Sequence, residues 1–339
     1  MKRILRIFLS CFVIVVSQSV FTAYGQTVED QVIRVETNLV NVFFAAVDKD
    51  NRFVRSLNRT DVTVYEDGVK QAILTFEHDT DRSLSLALLI DISGSEKLML
   101  GEEKTAAKSF VDAVIRRHVD QIAIISFAAD PFLEQSLTNR IEDAQRAIDR
   151  VEAVKGVRGY QGKGTVLPIG AKPASGSLSY TSAIWDALWI TCRHLLSPLP
   201  VNTRRVIVIV TDGEDTSSRA NLDEAIDITL QADTVIYAIG VGDTSIGEGV
   251  NKTTLSKLAL RTGGQFFSPR KDEDLAGAFE RIANELRSQY LLTYVPRNKE
   301  AEQSYRQVRI EIHDPKSRSD RPRLFYRPGY YFKSQTSKP

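Results

Sequence analysis

Residues 84–91 are apolar at every position except Ser85 and Asp91, the pattern of a strand buried on both faces, and residues 102–117 then place Ala106, Phe110 and Val114 at helical spacing. The alternation continues. Buried strands are predicted over 121–127 and 205–211, with a short edge strand over 132–137 and further strands over 234–240 and 264–267. Helices are predicted over 141–154, 182–196, 222–231, 253–262 and 272–287. Strands that alternate with helices over so long a stretch predict an α/β domain, a doubly wound and mostly parallel sheet with helices on both faces. Ligands of such sheets bind beyond the carboxyl ends of the strands.

The flanks read differently. Ile33 and Val35, then Val40, Val42 and Phe44, alternate in strand fashion; strands follow over 62–65 and 73–76, joined by a tight turn at Glu66-Asp67-Gly68. The pattern returns to strands over 290–295, 307–312 and 324–326, and runs into Arg327-Pro328-Gly329-Tyr330-Tyr331-Phe332. Each piece is smaller than a self-sufficient domain, so the two are expected to complete each other as an accessory β-sandwich. Residues 155–180 hold six glycines and two prolines and read as a long loop, either a partner-selecting element or an ordinary surface loop.

The 339 residues carry 44 Lys and Arg against 43 Asp and Glu, with 42% apolar residues. That balance excludes a disordered chain and argues against nucleic-acid binding by phosphate neutralisation. Near-neutrality is a cancellation, because from Asn284 onward there are 12 Lys and Arg against 6 Asp and Glu. Lys2, Arg3 and Arg6, an apolar run over 7–16 and the small-x-small sequence Ala23-Tyr24-Gly25 predict a signal peptide cleaved after Gly25, an uncleaved anchor being the alternative. The expected organisation is therefore a signal at 1–25, an amino-terminal β segment at 26–82, the α/β domain at 83–289 and a carboxyl-terminal β segment at 290–339, in a secreted or periplasmic protein with no membrane span after cleavage. Cleavage leaves Cys192 as the single cysteine, and its apolar setting with Trp185, Leu188 and Leu195 predicts core packing.

The chemistry gathers where strands end. Asp91, Ser93 and Ser95 follow the first parallel strand at alternate positions, so a curling loop can converge three oxygens on one point. Asp212 ends the third buried strand, in Thr211-Asp212-Gly213, and emerges from the same edge of the sheet; Thr181 and Ser182 stand just before a helix. Hard oxygen donors with few charges suit Mg²⁺ or Mn²⁺, and also Ca²⁺. The plainer reading of Asp-x-Ser-x-Ser is a turn that caps the next helix. Glu214 and Asp215 read as a solvated acidic rim, and Asp186 as a first-turn residue favoured by its helix dipole.

Together these segments resemble the von Willebrand factor A family, whose metal-ion-dependent adhesion site combines Asp-x-Ser-x-Ser, a threonine before a later helix and the Asp of Thr-Asp-Gly. The resemblance spans about 84–290. It implies that Ser93 and Ser95 hold the metal through hydroxyls, and Asp91 and Asp212 directly or through water. Counting back from Trp185-Asp186 puts Ser182 in the threonine's place, with Thr181 as the alternate. The flanks resemble bacterial secreted members of this type, which carry a Glu-Asp-Gly hairpin before the domain and a strand ending Arg-x-Gly-Tyr after it.

A cation held by neutral hydroxyls and water keeps much of its charge, so an incoming carboxylate completes its shell. The expected function is a metal-dependent adhesion module whose partner is a protein presenting an acidic residue. An envelope scaffold with a structural metal is the second expectation, and a metal-dependent hydrolase the third. Hydrolysis needs a positioned base, and His78, His118, His194 and His313 show no ligand or catalytic spacing. A phosphate loop at Gly162-Lys163-Gly164-Thr165 fails because Val157 occupies the required glycine position, and Gly240-Val241-Gly242 lacks the third glycine of a dinucleotide fingerprint.

Overall fold

The computed structural model describes residues 39–78, 82–93, 101–152, 165–166, 181–200, 203–242, 249–269, 272–298, 304–313 and 322–332. The amino-terminal segment read as a signal, the loop residue Ser95 and most of 155–180 lie outside them. The chain opens with β1 (Val40–Val47), β2 (Val62–Glu66), β3 (Val69–Lys70) and β4 (Ile73–His78). The alternating region follows as β5 (Leu84–Asp91), α1 (Gly101–Val114), β6 (Gln121–Phe127), β7 (Pro131–Thr138), α2 (Ile141–Arg150), β8 (Thr165–Val166) and α3 (Ile184–Ile190). It continues through β9 (Arg204–Thr211), α4 (Leu222–Gln231), β10 (Thr234–Gly240), α5 (Lys252–Thr262), β11 (Phe266–Phe267) and α6 (Asp272–Leu286). The last strands are β12 (Tyr290–Tyr294), β13 (Tyr305–Ile312), β14 (Arg323–Tyr326) and β15 (Gly329–Tyr331).

The central sheet has the order β11-β10-β9-β5-β6-β7-β8, with β5, β6, β9, β10 and β11 parallel and β7 and β8 antiparallel. Alternation within β5 sends Leu84, Leu86, Leu88 and Ile90 to a core shared with α1, α2 and α6, and Ala87 and Leu89 to a core shared with α3, α4 and α5. Both faces are therefore covered, as the continuous apolar runs require. Cys192 packs in the second of these cores, where burial pushes its thiol up to about 12, so it is an inert core group.

Two expectations are corrected. β7 is not an edge, because Thr165–Val166, read as loop, pairs outside it; an open strand edge offers unpaired amides and carbonyls that two extended residues can take. The helix expected over 182–196 begins at Ile184 and becomes a π-helical stretch at Thr191–Leu196, where Ser197 N–H reaches back to the Cys192 carbonyl at 2.8 Å.

The two terminal pieces do complete each other. β1 lies between β14 and β12, in the order β14-β1-β12-β4, and β13 lies between β15 and β2, in the order β15-β13-β2-β3. Their shared core includes Phe44, Val64, Tyr290 and Ile310, with the Tyr290 ring stacked on Phe44 and Phe76 at centroid separations of 5.1 and 5.3 Å. The turn after β2 places Asp67 and Gly68 at φ 47° and 80°, the backbone of a type I′ hairpin.

The sandwich meets the α/β domain at the amino ends of its strands. Arg204, the first residue of β9, donates to the Leu286 carbonyl at 2.8 Å and to Gln289 Oε1 at 2.6 Å, and its guanidinium lies 5.2 Å from the Phe43 ring centroid. Arg327 pairs with Asp233, the residue before β10. Gly263, at the carboxyl end of α5 with φ +92°, sits where a Cβ would fall 2.4 Å from the Arg327 amide nitrogen. Gly263→Ala is therefore expected to lower stability by about 2 kcal/mol or more, read as a shift of the urea midpoint, since both the left-handed φ and the close approach oppose a side chain.

A polar network is sealed beside this junction. Glu285, 1% exposed, accepts from the Tyr237 hydroxyl at 2.7 Å and from the Gln265 amide, and Gln289 Nε2 donates to Tyr237 at 3.4 Å. Burial raises the Glu285 carboxyl to about 7 against the pull of those two donors and of Arg281. A raised acid favours the folded state fully below the unfolded value near 4.3 and loses that advantage as pH rises to about 7. Wild type is thus expected to lose roughly 3 kcal/mol relative to Glu285→Gln between pH 4.5 and 7.5, measured by urea unfolding of both proteins.

Candidate metal site

β5 and β9 are adjacent and in register, with Ile90 beside Val210, so Asp91 and Thr211 emerge side by side at the carboxyl edge and Asp212 follows. Asp91 is 1% exposed. Its Oδ1 accepts the Ser93 N–H at 2.9 Å, while Oδ2 accepts the Thr211 hydroxyl at 2.7 Å and the Ser182 hydroxyl at 3.0 Å. Burial raises the Asp91 carboxyl above its ordinary range, and the hydrogen bonds from Ser93 and Thr211 pull it back. Ser93 and Ser182 are buried as well. Asp212 is buried too, and its Oδ1 accepts the Glu214 N–H at 2.9 Å.

Four of the five predicted site residues, Asp91, Ser93, Ser182 and Asp212, therefore stand at one edge, and Ser182 meets Asp91 directly. Ser95 lies outside the described residues. Thr181 Oγ1 is buried and has no hydrogen-bond partner among the described residues. An orphaned hydroxyl beside Ser182, with two carboxylates and further hydroxyls from neighbouring loops, is a donor set of hard oxygens and fits a divalent cation. Among the described residues no three His, Cys, Asp or Glu side chains gather as a metal cluster. The set depends on hydroxyls.

The loop after β9 holds Ser182 in place. Thr216 N–H and Ser217 N–H donate to the Ser182 carbonyl at 2.9 and 3.0 Å, and Ser182 N–H donates to Thr216 Oγ1 at 2.9 Å. Asp186, in the first turn of α3 as expected, accepts from Arg219 N–H at 3.1 Å and Ala220 N–H at 3.0 Å. Asp215 departs from the reading as a solvated rim. Its Oδ1 accepts from Ile184 N–H at 2.8 Å and from the Ser218 hydroxyl at 2.5 Å, so it caps α3 from another loop. The reason is that Ala183, at the cap position, has no side-chain acceptor for the free amides of the first turn. Glu214 is exposed, as expected of a rim residue.

Thr211 was not singled out from the sequence. The signal was present, since Asp91 and Thr211 each follow the last apolar residue of neighbouring buried strands.

Residues 172–281 match the family model described as the von Willebrand factor type A domain. That stretch lies within the α/β part of the chain and extends into α6, so this part carries the von Willebrand factor type A match. The matched stretch contains Ser182 and Asp212 and begins beyond Asp91. Among solved structures, the chain is similar to proximal thread matrix protein 1 from the mussel byssus with a zinc-occupied MIDAS motif, at 18% identity over 66% of this chain and 50% of that one, TM-score 0.49. It is also similar to BatB from Bacteroides thetaiotaomicron, at 18% identity over 60% of this chain and 100% of that one, TM-score 0.42. A von Willebrand factor type A protein from Catenulispora acidiphila matches at 12% identity over 89% and 75% of the two chains, TM-score 0.47. The chain spans about half the length of the mussel protein. No curated protein matches.

Among the described residues no helix is long and apolar enough to cross a membrane.

Proposed function

We propose that this chain is a divalent-cation-dependent protein-binding module of adhesion type. Asp91, Ser93, Ser95, Ser182 and Asp212 hold Mg²⁺ or Mn²⁺, with Ca²⁺ as the alternative, and a carboxylate from an acidic side chain of a partner protein completes the shell. The observation that carries the reading is the buried Asp91 carboxylate, drawn between Ser182 and Thr211 at the open edge of the sheet. The cation supplies a positive charge that an acidic side chain can meet. The protein's own part is to fix Asp91 through three donors and to keep water off two of its oxygens. The role is binding, not catalysis, and the signal-like start supports a secreted or periplasmic location. The mussel protein's zinc-occupied MIDAS motif accords with a divalent ion.

Calorimetry of the chain from Gln26 with Mg²⁺ and Mn²⁺ is expected to show one saturable site that is lost in Asp212→Ala. Capture of an acidic partner from envelope extract is expected to fail with chelator while the melting temperature barely moves. Unchanged cation binding in Asp212→Ala rejects the assignment. A fall in melting temperature with persistent capture makes the metal structural instead. Ser182→Ala is expected to weaken Mn²⁺ about tenfold, the order of one lost hydrogen-bonding or ligand contact. An equal loss confined to Thr181→Val transfers the ligand role to Thr181.

A further inference from the structure

A cleft of about 450 Å³ opens between the sandwich and the α6 side of the α/β domain. Three arginines from separate parts of the chain line it: Arg55 after β1, Arg281 on α6 and Arg323 at the start of β14. Each is held in place by a neutral group. Arg55 donates through Nε and one terminal nitrogen to Ser288 Oγ at 3.2 and 2.7 Å. Arg281 lies 5.6 Å from the Phe267 ring centroid. Arg323 lies 5.8 Å from that of Phe325 and donates to the Asn51 side-chain carbonyl.

None of the three has a carboxylate within ion-pair distance among the described residues, whereas Arg116, Arg117, Arg306, Arg309 and Arg327 all do. The one carboxylate lining the cleft is Glu285, which is buried and engaged by Tyr237 and Gln265. Positioned guanidiniums with no carboxylate in ion-pair contact suit a ligand, because part of their rotamer entropy is already lost and their forked donors match oxyanion geometry. Gln265 and Asn284 add neutral amides to the same wall.

We propose that this cleft binds a small molecule bearing a divalent oxyanion, of the phosphate or dicarboxylate class, at a site separate from the strand-end cation site. Arg55, Arg281 and Arg323 are the charge-bearing contacts. Glu285 faces Tyr237 from β10, Gln265 from the loop before β11 and Arg281 from its own helix. It is neutral below about 7 and ionised above, so it opposes the ligand only on the alkaline side.

The test is calorimetry of the full chain at fixed ionic strength with pyrophosphate, succinate and sulfate, beside the double variant Arg281→Gln with Arg323→Gln. Both positions are exposed, and an unchanged melting temperature verifies the fold. Saturable binding that weakens at least about tenfold in the double variant is expected. Tighter pyrophosphate than succinate assigns the phosphate class, and the reverse order the dicarboxylate class. Sulfate keeps its charge between pH 6 and 8, so its affinity is expected to fall roughly fivefold over that range in wild type and to stay level in Glu285→Gln. No saturable heat from any probe, or equal affinity in the double variant, overturns the proposal. A level sulfate profile in wild type overturns the part given to Glu285.

Discussion

Glu66→Leu is expected to destabilise the chain by about 3–5 kcal/mol, a loss typical of breaking a buried ion pair from one side. Glu66 and Arg306 both have side chains 2% exposed and meet at 3.0 Å. Glu66 also accepts from the Tyr294 hydroxyl at 2.8 Å and the Tyr330 hydroxyl at 2.7 Å. Removing the carboxylate takes the shared acceptor from three donors in a buried core. Arg306 keeps neutral partners, among them the Asn298 carbonyl at 2.6 Å, and lies 3.7 Å from the Phe332 ring centroid, but it loses the carboxylate it pairs with. Urea unfolding measures the loss. In the Glu66→Leu, Arg306→Leu double variant, a substantial part of the stability is expected to return, because the orphaned cation is gone. A loss below about 1 kcal/mol in the single variant contradicts the account.

Asp91→Asn is expected to abolish cation binding, by at least about a hundredfold, while leaving the metal-free protein within about 1 kcal/mol of wild type. The amide is isosteric. Its oxygen can keep the bond from Ser93 N–H, and its NH₂ can take the place of Oδ2 if the Ser182 and Thr211 hydroxyls turn to accept. It also removes a buried negative charge whose desolvation is unfavourable without a cation. The two effects separate in one experiment: thermal melting with and without Mg²⁺, where wild type is expected to rise by about 2.7 kcal/mol of stability at a hundred times its dissociation constant and Asp91→Asn not at all. A variant that unfolds without metal places Asp91 in the fold rather than in the site.

The two features that resemble bacterial secreted members of the family, Glu-Asp-Gly in the first hairpin and Arg-x-Gly-Tyr near the end, are one device in three dimensions. Glu66 of the first accepts the hydroxyl of Tyr330 in the second, 264 residues away. Each motif was legible as a turn or a strand end. Neither could announce the other, because a buried carboxylate and an exposed one look alike until the core around them is assembled. The same holds for Asp215, whose acidic neighbourhood suggested solvent and whose actual work is to cap α3 across a loop.

The sequence by itself determined the periodicities: buried parallel strands, helices on two faces, and the emergence of Asp91 and Asp212 from the same strand ends. These follow from backbone geometry, which repeats every two or 3.6 residues and is written locally. Only the tertiary structure decided that β1 is sandwiched between β12 and β14, that Ser182 and Thr211 share Asp91, and that three arginines line one cleft with no ion-paired carboxylate among the described residues. Those arrangements depend on which distant segments approach closely enough to exchange water for one another, and local periodicity does not encode that approach.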